Sequence, residues 1–435
     1  MRTPRIRAVG LFSILTVAVA SIATPALAAP NTVRPSISNN EVQANGSSTF
    51  SAVSQDGRYV AFDSSANNLI GLDSNAASDI FVRDRRADTT RRVSIRSNGT
   101  QANGASQTPA MSNSGRFVAF SSSASNLVPG DTNATVDIFV HNRKTGKTTR
   151  VSTLSNGDEA NGASSLPRIS ADGRFVSFES SANNLVPGDG NGTTDIFVKD
   201  RNTGRTRRVS LRSNGAQGNG PSTVADISPN GRYVTFQSTA TNLVNGDTNA
   251  TGDVFLHDRN NKKTKLASLG SAGQGTLQSL FPSVSSDGQV AFASASSNLV
   301  GGDTNATFDI FVRNTRDNII RRVSINTAGV QGNGQSPTAW RPQISGQGRY
   351  VAFESNATNL VQNDTNGVSD VFVRDRKKDK TKRVSVRFDG SQGNNASFIP
   401  DITDNGRFIV FTSLATNLVV GDSNGTNDVF LRSTR

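Results

Sequence analysis

A tight turn returns along this chain at a nearly constant interval, and that period constrains the fold more than any other feature. The turn reads Asp56-Gly57-Arg58, Ser114-Gly115-Arg116, Asp172-Gly173-Arg174, Asn230-Gly231-Arg232, Asp287-Gly288-Gln289, Gln347-Gly348-Arg349 and Asn405-Gly406-Arg407. Its glycines lie 58, 58, 58, 57, 60 and 58 residues apart. A fixed period of this kind marks a repeat protein, whose units bury their apolar faces only against their neighbours. Seven units of about 58 residues span residues 29–435.

Within a unit the pattern is that of short strands, with no helical periodicity. In the second copy Ala110-Met111-Ser112 approaches the turn and Arg116-Phe117-Val118-Ala119-Phe120 leaves it. A glycine turn between two apolar runs is a hairpin signal. Asp137-Ile138-Phe139-Val140 carries consecutive apolar residues, which implies a strand buried on both faces. Thr148-Thr149-Arg150-Val151-Ser152 has the polar, cationic character of a protected edge. Seven such sheets predict an all-β fold: a seven-bladed β-propeller of four-stranded antiparallel blades. The seventh unit ends on its third strand, Asp428-Val429-Phe430-Leu431. Thr32-Val33-Arg34-Pro35-Ser36-Ile37 lies one period before Thr90-Arg91-Arg92-Val93-Ser94-Ile95. The N-terminal strand is therefore expected to complete the last blade and close the ring.

The stretch Ile169-Ser170-Ala171-Asp172-Gly173-Arg174-Phe175-Val176-Ser177-Phe178 resembles the WD40-like repeat of TolB-type propellers. The resemblance covers all seven units, but the blades are longer than that family's usual unit and no separate α/β domain precedes them. It implies a propeller with an exported or periplasmic binding role. It carries no partner across, because a scaffold does not fix function.

Residues 1–28 read as a secretory signal peptide. Arg2, Arg5 and Arg7 precede an apolar stretch from Val9 to Ile22, and Ala26-Leu27-Ala28 fits the small-x-small cleavage rule. The mature chain is expected to be secreted or periplasmic, monomeric and without a transmembrane segment. Cysteine is absent, which excludes disulfides, thiolate metal sites and cysteine nucleophiles.

Three polar positions recur in every unit, in a loop that leads into the third strand. The loop reads D-x-N-x-x-x-D: Asp73, Asn75 and Asp79; Asp131, Asn133 and Asp137; Asp189, Asn191 and Asp195; Asp247, Asn249 and Asp253; Asp303, Asn305 and Asp309; Asp364, Asn366 and Asp370; Asp422, Asn424 and Asp428. Calcium takes six to eight oxygen ligands, so these carboxylates and amides are candidate calcium ligands. The loops resemble a shortened form of the calcium loops of integrin-type propellers, without their central Asp. Asx turns that staple loop backbone select the same residues, so structural loops are the alternative.

A second polar column lies in the connections between units: Gln43, Gln101, Gln217, Gln274, Gln331 and Gln392, with Glu159 in the third copy. Gln101, Gln217 and Gln331, with the sole tryptophan Trp340, are candidate ligand contacts on a polar rim. Trp340 belongs to the unit with the 60-residue spacing. Turn chemistry and gap filling are the alternatives. The hairpins after the third strand hold 29 of the 46 basic residues, which suits edge protection or a surface for anionic polymers.

Catalytic candidates are few. No nucleophile elbow is present. His141 and His257 share a repeat column with Arg83, Lys199, Arg313 and Arg374, so that column is expected at the surface. The reading that follows is an exported, non-enzymatic binding or scaffold propeller. It engages a protein or glycan of the cell envelope through its polar loop face, with calcium as a stabilising ion and nucleic acid disfavoured. The alternative is a carbohydrate-active lyase or hydrolase using carboxylates at the channel.

Overall fold

The computed structural model describes residues 31–337 and 340–434, and the leader expected in residues 1–28 lies outside them. The chain forms seven four-stranded antiparallel sheets arranged as a ring. In the first blade the strands are Ser48–Val53, Tyr59–Ser64, Asp79–Asp84 and Thr89–Arg92, from the axis outward. The seventh blade contains Ser397–Ile402, Phe408–Ser413 and Asp428–Ser433, and its fourth strand is Thr32–Val33. Thr32 pairs with Arg432 and Val33 with Leu431, so the N-terminal strand closes the ring as the sequence predicts. No helix of the described residues is long and apolar enough to cross a membrane.

Apolar packing is distributed into seven clusters, each shared by two neighbouring blades. One joins Ile80 and Val82 of the first blade to Val118 and Phe120 of the second. Another joins Val410 and Leu431 of the seventh blade to Phe62 of the first. Every blade carries one buried phenylalanine pair on its second and third strands, such as Phe62–Phe81 and Phe411–Phe430, with centroids 5.9 and 5.8 Å apart. Such ring pairs add about 1 kcal/mol beyond the area they bury.

The repeated turn fixes how blades meet. Gly115 has a φ of 68°, and a Cβ there would lie 2.3 Å from the Tyr59 ring of the preceding blade. Glycine is thus required twice, for the left-handed backbone and for the neighbouring ring. Strand direction puts these turns and the cationic hairpins on one face of the ring. The D-x-N-x-x-x-D loops and the connections between blades share the other.

Candidate functional site

The loop of the first blade shows how the polar columns are used. Ser94 Oγ donates to Asp79 Oδ1 at 2.5 Å. Gln101 Nε2 donates to Asp73 Oδ1 at 2.8 Å and to Asp79 Oδ2 at 3.0 Å. Arg92, at the end of the outer strand, places Nη1 between the two carboxylates, 3.2 Å from Asp73 and 3.1 Å from Asp79. Asn75 donates to the Ala102 carbonyl at 2.9 Å and accepts the Ala77 N–H at 3.1 Å, closing an Asx turn. The Asp79 side chain is fully buried, and the loss of hydration raises its pKa against the hydrogen bond from Ser94.

The same arginine lock recurs around the ring. Arg208 bridges Asp189 and Asp195, Arg322 bridges Asp303 and Asp309, and Arg383 bridges Asp364 and Asp370. In the seventh blade Arg34 bridges Asp422 and Asp428. Asn133, Asn191, Asn249, Asn305, Asn366 and Asn424 repeat the contacts of Asn75. Gln217 and Gln331 turn their amides inward onto these Asp pairs, as Gln101 does.

Two blades depart from the pattern. In the second, Glu159 takes the place of glutamine, and Arg150 faces Asp131, Asp137 and Glu159 together. The oxygens of these three acids can converge on one point, all within 4.8 Å of one another. Burial, reinforced by Asp137, pushes the Asp131 carboxyl up to about 6. In the fourth blade Leu266 occupies the arginine position. Gln274 still joins Asp247 and Asp253, at 2.8 Å to each. No basic side chain pairs with either aspartate among the described residues. Five loops thus combine two carboxylates with one guanidinium, whereas the second and fourth each carry one more negative charge.

The loop tips expose two large apolar side chains. Leu72 is 94% exposed and Val420 82%, on the loops of the first and seventh blades. Leu72 has a φ of 61°, in the column occupied by Gly130, Gly188, Gly246, Gly302 and Gly421. A left-handed leucine costs on the order of 1 kcal/mol.

Trp340 lies in the central channel rather than on the loop rim. Its ring meets Phe50 edge-on at 5.3 Å and Phe281 at 5.8 Å. The channel is lined midway by one position from each inner strand: Ala52, Ala110, Arg168, Asp226, Ser283, Gln343 and Asp401. Nearer the loop face the inner strands bulge, and Leu166, Val224 and Ile399 adopt φ of 49°, 51° and 52°. Second-strand acids hold these bulges: Glu179 accepts the Val224 N–H at 2.8 Å and Glu354 the Ile399 N–H at 2.9 Å.

The histidine column is buried, contrary to the surface position expected for it. His141 and His257 are 4% and 5% exposed. Their hairpin register turns the column toward the preceding blade, where Lys199 donates to the Leu154 carbonyl and Arg313 to that of Leu269. Each imidazole meets a threonine hydroxyl at 2.9 Å, and burial pushes both down to about 4. They are neutral blade contacts at pH 7.

A scan of protein-family models and a search of curated proteins return no match. Solved structures do match. An oligogalacturonate lyase in complex with manganese is 12% identical, with a TM-score of 0.53 over 92% of this chain and 92% of that chain. The β-propeller domain of the Trilobed protease from Pyrococcus furiosus is 10% identical, with a TM-score of 0.53 over 90% and 96%. TolB from Acinetobacter baumannii is 13% identical with a TM-score of 0.41; the match covers 77% of this chain and 62% of TolB. Identities this low show shared architecture and carry no activity across. The chain is a seven-bladed β-propeller closed by its own N-terminal strand.

Proposed function

We propose that this protein is an exported, non-enzymatic binding propeller that engages a protein or glycan of the cell envelope through its loop face. The observation that carries this reading is Leu72, 94% exposed and held in a left-handed conformation where most other blades have glycine. An outlier that costs stability and points an apolar side chain into solvent fits a contact residue. Val420 supplies a second apolar tip on the neighbouring blade. The arginine locks hold the loops rigid, which lowers the entropy lost when a partner docks. The leader of residues 1–28 delivers the chain outside the cytoplasm, and it acts as a monomer.

Calcium belongs to this reading at the second and fourth blades. There the extra negative charge, on Asp131, Asp137 and Glu159 or on Asp247 and Asp253, gives a cation a favourable seat. In the other five loops one guanidinium faces only two carboxylates, whereas in the second blade Arg150 faces three and in the fourth no arginine is present.

The test is capture of envelope components by the immobilised protein, with Leu72→Gly and Val420→Ser compared against wild type. A specific component that binds wild type and is lost from both variants supports the loop face. Equal capture by all three proteins removes the loop tips from recognition.

A further inference from the structure

The residues at the middle of the channel vary from blade to blade in a highly repetitive molecule. Asp226, Asp401 and Arg168 share a position occupied elsewhere by Ala52, Ala110, Ser283 and Gln343. Part of their role is structural. Asp226 accepts the Val284 N–H of the next blade at 2.9 Å, and Asp401 accepts that of Val53. Ser283 does the same for Ile344 at 3.1 Å. A hydroxyl is therefore enough for this contact, and the charge on the two aspartates is surplus to it. Buried charge is costly without a partner.

Trp340 and Arg341 of the sixth blade narrow the channel. Arg341 is 1% exposed and donates from Nη1 to the Ala225 carbonyl of the fourth blade at 2.9 Å. With Trp340 it fills the upper channel, leaving a cavity of only about 20 Å³ beside them. Below lies a second cavity of about 100 Å³, reaching the face of the glycine turns past Asn113 and Asp404. Three carboxylates line it, from Asp226, Asp401 and Asp404. They face two guanidiniums, Arg168 within the cavity and Arg341 above it. Arg168 stands 3.9 Å from Asp226, and Asn113 donates to Asp404 at 2.6 Å. One negative charge is left over.

Gln343 points to a ligand independently of the acids. It is 7% exposed, lines both cavities, and its Nε2 has no partner in the protein. Buried amides without partners are uncommon in folded proteins. Four of the six turn arginines around the mouth are engaged elsewhere: Arg58, Arg174, Arg232 and Arg349 are tied to Asp84, Asp200, Asp258 and Asp375.

We propose that the lower channel is a binding pocket for a small primary-ammonium compound that also bears a hydroxyl. The ammonium sits against Asp401 and Asp404 and supplies the missing positive charge. The hydroxyl oxygen accepts the free N–H of Gln343. Burial pushes Asp401 up to about 6, so a bound ammonium would also hold its carboxylate ionised.

Ethanolamine is the probe, titrated into the purified protein by calorimetry, with sodium chloride at equal ionic strength as the control. Saturable binding is expected, weakened at least about tenfold in Asp401→Asn and in Asp404→Asn, since each removes a charge-assisted hydrogen bond. Asp158→Asn, in an exposed turn outside the channel, should bind as wild type. Circular dichroism checks that each variant is folded. Trp340 emission gives a second readout on unmodified protein, because the ring lies beside Arg341 at the top of the pocket. No saturable binding and no change in emission would overturn the proposal. So would equal binding by wild type and the two folded channel variants.

Discussion

Arg34 lies 3.4 Å from Asp428, a residue 394 positions away along the chain. The contact that locks a loop within other blades here joins the two ends of the protein. Arg34 is 9% exposed at its side chain and Asp428 is fully buried. Removing the cation leaves Asp422 and Asp428 facing each other without a counter-charge. Arg34→Ala is expected to destabilise the fold by about 3 kcal/mol. Denaturant unfolding at pH 7 measures this, and a loss below the error of the method would mean the lock is decorative.

Leu266→Arg should install the missing lock in the fourth blade. The new guanidinium would stand where Arg208 and Arg322 stand in neighbouring blades, against Asp247 and Asp253. A gain of about 1 kcal/mol is expected, with any calcium effect of that blade abolished. Thermal unfolding with and without calcium checks both parts.

Stability should depend on pH through several groups shifted by burial: Asp63, Asp131 and Asp401 in one sense, His141 and His257 in the other. Burial raises Asp63 and Asp401 to about 6, while unfolded aspartate ionises near 4. At these aspartates the folded state binds extra protons between about pH 4 and 6, and their contribution to stability falls as pH rises through that window. The share of each group is on the order of 2–3 kcal/mol. Asp200 works the other way: the pair with Arg174 holds it at about 2, and its contribution is lost as pH falls toward that value. His141 and His257, held at about 4, act in the opposite sense over the same window, so the test is a difference: from pH 4 to 7 the denaturant midpoint of Asp401→Asn should rise relative to that of wild type. An unchanged slope in the variant would contradict the burial of that charge.

Gly115→Ala should destabilise the protein by roughly 2–4 kcal/mol, through its left-handed backbone and the Tyr59 ring 2.3 Å from the new Cβ. Tyr59→Ala in the same chain should recover part of that loss. A double-mutant cycle measures the coupling, and strict additivity would show that the ring does not set the glycine requirement.

The blades, their strand order and the closure by Thr32–Val33 are legible because each follows from a repeated local signal. Gly57 and its equivalents mark the hairpins, and the phenylalanines at 81, 139 and 197 mark strands buried on both faces. The Asp and Asn columns are equally visible. What opposes them is less so. Arg92 reads as edge protection until the sheet brings the end of the outer strand back beside Asp73. The channel escapes a reading based on repeats, because Ala52, Arg168, Asp226, Ser283 and Gln343 share a position but no residue type. The column of His141 was misread for a related reason. A position that accepts any cation looks solvated, yet here the anion-like partners are backbone carbonyls, which no side-chain pattern reveals.

The central claim is that in five D-x-N-x-x-x-D loops an arginine closes the carboxylate pair, and that the second and fourth, each with one more negative charge, take a cation. Calorimetric titration of the metal-free protein with calcium tests it most directly, with magnesium as the control. The account predicts two calcium ions per chain, one lost in Glu159→Gln and the other in Asp247→Asn. Seven ions would show that calcium displaces the arginines, and no binding at millimolar calcium would leave all seven loops as hydrogen-bonded staples.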